Sequence, residues 1–298
     1  MSQYDNCNLL PQDSLDPITR YKDMSQALNA TGRHIYYSLC ETGSSDPWLW
    51  ASELGNSWRT AGDIADGYES MLRALDDTVG LSRYAGPGLG WNDPDMLEVG
   101  NGGMAVHEYQ AHFALWAVLK APLLLGHDLE QMTDEILKII SAPEVIALNQ
   151  DPLGVAGDLI AKSGPDEVYA TILSDYTRGV VLFNRHDPND PMPTETATVN
   201  FPDLGWTSNT TATVRNLYER RDLGTFTGSF TTEFPAHHAM ALKVTPTSSS
   251  ILHSQANMEW RPWHTTIGQQ VHDWQVARRK RQLQPLGVAT FGGWDAIE

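Results

Sequence analysis

Apolar positions in the first half of the chain alternate between two periods. Asp16-Pro17 opens a helix, because proline fits a first turn whose N–H would go unpaired anyway. Tyr21, Met24 and Leu28 then share one face, and Gly32 ends the run. "HIYYSLC" at 34–40 is a compact β-prone stretch. Tyr68, Met71, Leu72, Leu75 and Val79 step by three and four up to Gly80. Val106 to Lys120 is helical and apolar on more than one face, as expected of a helix clamped between neighbours. "APLLLGHD" reads as a buried strand, and Thr133 caps the helix "DEILKII". Strand–helix alternation of this kind predicts right-handed βαβ units around a parallel sheet.

Polar residues gather just after each expected strand, in "YDNC", "CETG", "RTAGD", "NDPD" and "GHD". Such loops share one face of a (β/α)8 barrel and one edge of an open doubly wound sheet, and the pattern fits both. From 165 to 245 the character changes. "EVYATIL", "GVVLFN", "TATVNF", "TATVRNLYE" and "HAMALKV" are short, β-branched and separated by turn signals, which predicts an antiparallel sandwich. Asp151-Pro152 and the glycines at 154 and 157 mark the joint. The expected units are 1–155, an antiparallel β domain at 156–246, and a tail at 247–298 that is expected to be poorly ordered. That tail carries Trp260, Trp263, Trp274 and the basic run Arg278-Arg279-Lys280-Arg281.

Composition narrows the functional classes. A net charge of −17 argues against nucleic acid and anionic membranes as partners. No apolar run reaches the ~18 residues of a transmembrane helix, and no apolar stretch follows Met1. Asn29 and Asn209 begin glycosylation sequons. No HExxH, GxGxxG, P-loop or GxSxG occurs, so no metal or other cofactor is expected. Cys7 and Cys40 follow two successive strands; adjacent strand ends suit a disulfide, and two buried thiols are the other reading.

Carboxylates dominate the candidate chemistry. Asp5, Glu41, Asp63, Asp93, Asp95 and Asp128 all end strands on the presumed functional face. Glycosidic bonds are commonly cleaved by two carboxyl groups flanking the anomeric carbon, ~5 Å apart in retaining enzymes. Loop aspartates also cap helices and turns. Arg59 and Asp63, four residues apart, could form a purely structural ion pair.

The ordered segments "YDNC", "SLCE", "NSWRTAGDI", "GLGWNDPDMLEVGN", "ALWAVLKAPLLLGHDL" and "VIALNQDPLG" resemble the α-galactosidase (melibiase) family of glycoside hydrolases over residues 3–245. The resemblance implies a (β/α)8 TIM barrel, here about its second half, followed by an antiparallel β-sandwich. It implies Asp5 as nucleophile, Asp63 as acid/base, Arg59 and Glu41 as sugar contacts with Glu41 reading the 2-hydroxyl, and Asp95 and Met96 as a rim pair. It also implies a Cys7–Cys40 disulfide and hence a secreted, vacuolar or lysosomal location. The substrates would be α-galactosides, with room for a homo-oligomer, and the carboxylate-crowded rim predicts an acidic pH optimum. The chain departs from the family at Gln3, where a lysine is usual, and at Thr42, where a tryptophan is usual. It begins where the family's fourth strand ends, so it is expected to be a fragment; the alternative is a non-catalytic galactose-binding or interaction remnant.

Overall fold

The computed structural model describes residues 1–7, 16–186, 194–247, 259–262, 265, 270 and 273. Four short strands, β1 (Ser2–Asp5), β2 (Tyr37–Cys40), β3 (Ser57–Arg59) and β4 (Trp91–Asp93), form a parallel sheet in chain order. Register sets Asp5 level with Cys40 and Arg59 level with Asp93. The polar run after each strand therefore reaches the same end of the sheet.

Helix α1 (Pro17–Ala30) joins β1 to β2, and α2 (Tyr68–Thr78) joins β3 to β4. Both follow the apolar stripes in the sequence: Tyr21 is buried on α1, and Met71, Leu72 and Leu75 on α2. Asp16 stands at the N-cap of α1 without a side-chain cap bond, so Pro17 in the first turn is the local start signal. Helix α3 (Val106–Leu119) is buried continuously from Ala111 to Leu119. It is clamped by α2, α4 (Asp134–Ile140), α5 (Pro143–Asn149) and the antiparallel sheet, so no face can be polar. Thr133 caps α4 through the Ile136 amide at 3.3 Å. Among the described residues no helix is long and apolar enough to cross a membrane.

"APLLLGHD" does not form the expected buried strand. Its ladder contact is a lone bridge between Leu97 and Leu125, and Leu125 is exposed. A segment with one isolated bridge has too few backbone partners to hold a strand.

The second unit contains β5 (Asp158–Ser163), β6 (Asp166–Ile172), β7 (Arg178–Asn184), β8 (Thr194–Asn200), β9 (Thr211–Asn216), β10 (Arg221–Thr227), β11 (Ser229–Pro235) and β12 (Ala239–Pro246). Six pair in the order β10-β9-β12-β7-β6-β5, and β11 pairs with β8 across the sandwich. Strands β6 and β7 are buried along their whole length because each lies between two layers. One face packs Val168, Val180 and Leu182 against Val199 and Phe230. The other packs Tyr169, Val181 and Phe183 against α3. The fold is thus about half of a parallel barrel followed by an antiparallel β-sandwich.

Trp260, expected in a poorly ordered tail, is buried in the sandwich core. The Arg178 guanidinium carbon lies 4.9 Å from the Trp206 ring centroid and 4.8 Å from that of Trp260. A Cβ on Gly205, at φ +82°, would meet Trp260 Cδ1 at 2.3 Å. Gly205→Ala is therefore expected to cost about 2 kcal/mol and to red-shift tryptophan emission as Trp260 leaves its seat, measured by urea denaturation and fluorescence. Trp263, Trp274 and the basic run at 278–281 lie outside the described residues.

Candidate active site

Asp5 ends the edge strand β1, where Gln3 Nε2 donates to its Oδ1 at 2.9 Å. The next residue is pinned to β2 by the Asn6 amide, which donates to the Cys40 carbonyl at 2.8 Å. Glu41 follows β2 and is only 2% exposed. Burial pushes its carboxyl up, and the Ser45 amide opposes this by donating to both oxygens at 2.8 and 3.0 Å. Thr42 and Gly43, at φ 57° and 77°, make the tight turn that returns the chain to that amide. A Cβ on Gly43 would stand 2.4 Å from the Thr60 carbonyl oxygen, so the turn fits only glycine there.

Arg59, at the end of β3, organises the floor. It is 4% exposed. Its Nη2 donates to Asp95 Oδ2 at 2.7 Å, to Asp63 Oδ1 at 3.2 Å and to the Ala61 carbonyl at 3.3 Å. The tighter partner is Asp95, not the Asp63 four residues away. The Asp63 side chain is 83% exposed, so the Arg59–Asp63 pair contributes little to stability. Asp95 is held by the Ile64 amide on Oδ2 at 2.9 Å and by the Met96 amide on Oδ1 at 2.8 Å. Helix α3 fixes the rim beyond it. Trp116 Nε1 donates to the Asp95 carbonyl at 2.8 Å, and His112 Nε2 accepts from the Glu98 amide at 3.1 Å. Burial drives the His112 imidazole down to about 3, so it remains the neutral acceptor this bond requires.

These residues surround one cleft of about 610 Å³, lined by Asp5, Cys7, Cys40, Glu41, Arg59, Asp63, Asp95 and Met96 among others. Of the residues expected on this face from the sequence, Asp5, Glu41, Arg59, Asp63, Asp95 and Met96 reach it, and Asp93 lies behind the lining. Asp128 does not reach it; its carboxylate accepts from the Glu130 amide and caps a short turn. Asn6, Ser44, Ile64 and Glu98 also line the cleft and were missed. Glu98, three residues after Asp95, could have been found by following the rim loop one turn further. His112 and Trp116, one turn apart, were legible as the polar-tipped side chains of an otherwise apolar helix.

The expected disulfide is not formed. Cys40 is a buried thiol that Arg59 Nη1 approaches at 3.8 Å, and burial pushes it up to about 11. Cys7 lies two residues past the end of β1 and is exposed. A secretory route inferred from that bridge has no structural support.

Asp93, beneath the cleft, is the most perturbed carboxyl of the rim. Burial raises it from 3.8 to about 6, against the Asp95 amide and the Arg59 charge, with Asp95 adding to the rise. A carboxyl raised on folding favours the fold while protonated. Its contribution is largest below pH 4 and lost as pH rises through 6, a swing of up to about 3 kcal/mol. Asp93→Asn is expected to gain stability over wild type at pH 7 and none at pH 4, measured by urea denaturation across that range.

Fold and site together define a class: a barrel-type parallel sheet with a carboxylate-rimmed cleft at its strand ends, followed by a β-sandwich. The family model described as alpha galactosidase A matches residues 1–151, and the alpha galactosidase C-terminal beta sandwich domain matches residues 163–244. The chain belongs to this alpha-galactosidase family. It is 47% identical over 252 residues to alpha-galactosidase 3 of Arabidopsis thaliana, covering 83% of this chain and 56% of that one. It is 44% identical over 246 residues to the alpha-galactosidase of Cyamopsis tetragonoloba, covering 83% and 58%. The crystal structure of alpha-galactosidase I from Mortierella vinacea superimposes with a TM-score of 0.73 at 34% identity, covering 81% of this chain and 66% of that one. The chain thus spans little more than half the length of the curated relatives it matches.

Proposed function

We propose that this chain carries the catalytic carboxylates of a retaining exo-glycosidase that releases terminal α-linked galactose. The observation that carries this reading is that Asp5 at the end of β1, Glu41 after β2 and Asp63 after β3 open into one cleft. The Asp5 carboxylate attacks the anomeric carbon as the Asp63 carboxylic acid passes its proton to the departing glycosidic oxygen. The product is a galactosyl ester of Asp5. The Asp63 carboxylate then takes a proton from water, whose oxygen displaces Asp5 and restores the original anomeric configuration. Arg59, Asp95 and Met96 line the sugar side, and Glu41, anchored on the Ser45 amide, presents a fixed acceptor to the 2-hydroxyl.

The relatives named alpha-galactosidase, at 44–47% identity, support the substrate assignment. The test is hydrolysis of 4-nitrophenyl α-galactoside followed by NMR, with α-galactose expected as the first-formed product. First formation of β-galactose would mean an inverting enzyme. No release, with galactose still bound in a titration, would make the chain a non-catalytic galactose-binding domain.

A further inference from the structure

Asp93 takes no place in the lining of the cleft, yet it holds the turn that carries Asp95, which shares Arg59 with Asp63. Asp93-Pro94-Asp95 turns sharply at the end of β4. The Asp95 amide donates to Asp93 Oδ1 at 2.9 Å, and Asp95 adopts φ 102°, a conformation that L side chains rarely hold. With the chain turned this way, the Asp95 carboxylate reaches Arg59 Nη2 at 2.7 Å and the Ile64 amide at 2.9 Å together. Those two partners bracket Asp63: Arg59 donates to its Oδ1, and Ile64 follows it in the chain. Asp93 is itself clamped, because its carbonyl accepts from the Thr60 amide at 2.9 Å and from Thr60 Oγ1 at 3.3 Å.

We propose that Asp93 is a positioning residue for the acid/base: by accepting the Asp95 amide it holds the turn that aims Asp95 at Arg59 and at the Ile64 amide, and so sets where the Asp63 carboxyl stands. This deepens the reading of Asp63 as acid/base and rests on it. What matters in this role is an oxygen acceptor at the Oδ1 position, not a charge, so asparagine should substitute and alanine should not.

The test compares Asp93→Ala and Asp93→Asn in the full chain. Amide exchange by NMR reads the turn directly. At pH 4, where Asp93→Asn is expected to leave stability unchanged, Asp93→Ala is expected to speed exchange at the Asp95 and Ile64 amides about tenfold or more relative to the Tyr169 and Val181 amides of the antiparallel sheet, while Asp93→Asn keeps all four near wild type. Unchanged protection at Ile64 in the alanine variant overturns the proposal. So does an equal loss at all four amides, which would mark Asp93 as merely structural. Turnover supplies a second readout. A misplaced general acid hurts a poor leaving group most, so Asp93→Ala is expected to lose about tenfold more on methyl α-galactoside than on 2,4-dinitrophenyl α-galactoside. Equal losses on the two substrates overturn the proposal. If wild type hydrolyses neither, the acid/base reading fails, while amide exchange still decides whether Asp93 holds the turn.

Discussion

Asp5→Gly and Asp63→Gly are each expected to lower turnover of 4-nitrophenyl α-galactoside by about 10³-fold or more, and azide is expected to restore product by two different routes. A nucleophile and an acid/base each supply a bond-making or proton-transfer step that water alone cannot replace at the same rate. The two variants separate by stereochemistry. With Asp5 shortened, azide enters from the face the carboxylate vacated and displaces the aglycone with inversion, giving β-galactosyl azide. With Asp63 shortened, the ester on Asp5 still forms from an activated substrate, and azide displaces it to give α-galactosyl azide. The same anomer from both variants would show that the roles are not divided between these carboxylates. Both side chains open to solvent in the cleft, which gives a small anion access.

The largest expected loss of stability comes from the joint between the two units. Arg185, just past β7, donates from both terminal nitrogens to Asp76 on α2 at 2.8 and 3.0 Å, and from Nη1 to Glu167 on β6 at 2.9 Å. Glu167 is 1% exposed, with Lys162 Nζ at 2.8 Å and the Tyr169 hydroxyl at 2.7 Å completing its shell. Arg185→Met removes the more buried of its two cations and is expected to cost about 3–5 kcal/mol, because the remaining carboxylate stays out of water. The Asp76 side chain is 45% exposed, so its share of the loss is small. Adding Glu167→Gln to Arg185→Met should recover a large part of the deficit. A double variant no more stable than the single one would show that the Asp76 bridge, and not the buried charge, carries the effect. Denaturant midpoints of the four proteins read this cycle directly.

The sequence made the carboxylates legible because strand-end loops converge whichever α/β sheet they end, so order along the chain grouped Asp5, Glu41, Asp63 and Asp95. The same order also drew in Asp93, which sits behind the lining, and Asp128, which caps a turn instead. The helices were legible where an apolar stripe faced one neighbour, as with Met71 and Leu75 on α2. Three features were hidden for physical reasons. The run from Ala121 to Leu125 is apolar enough for a strand, but backbone pairing, which sequence does not display, is confined to one bridge. Strand β10 lacks a clean alternation because its register shifts between Asp222 and Gly224. Arg59 has a nearer partner in Asp95 than in Asp63 because β3 and β4 lie side by side, a proximity that spacing along the chain cannot report.

One apolar cluster runs from Met71 and Leu75 through Phe113 and Trp116 to Tyr169, Val181 and Phe183, crossing from the parallel unit into the sandwich without a break. Such continuity makes melting cooperative: calorimetry should trace a single endotherm, with no temperature at which the sandwich survives alone. It also removes the hinge, so a sugar entering the cleft must be accommodated by rim loops rather than by one half of the molecule swinging against the other.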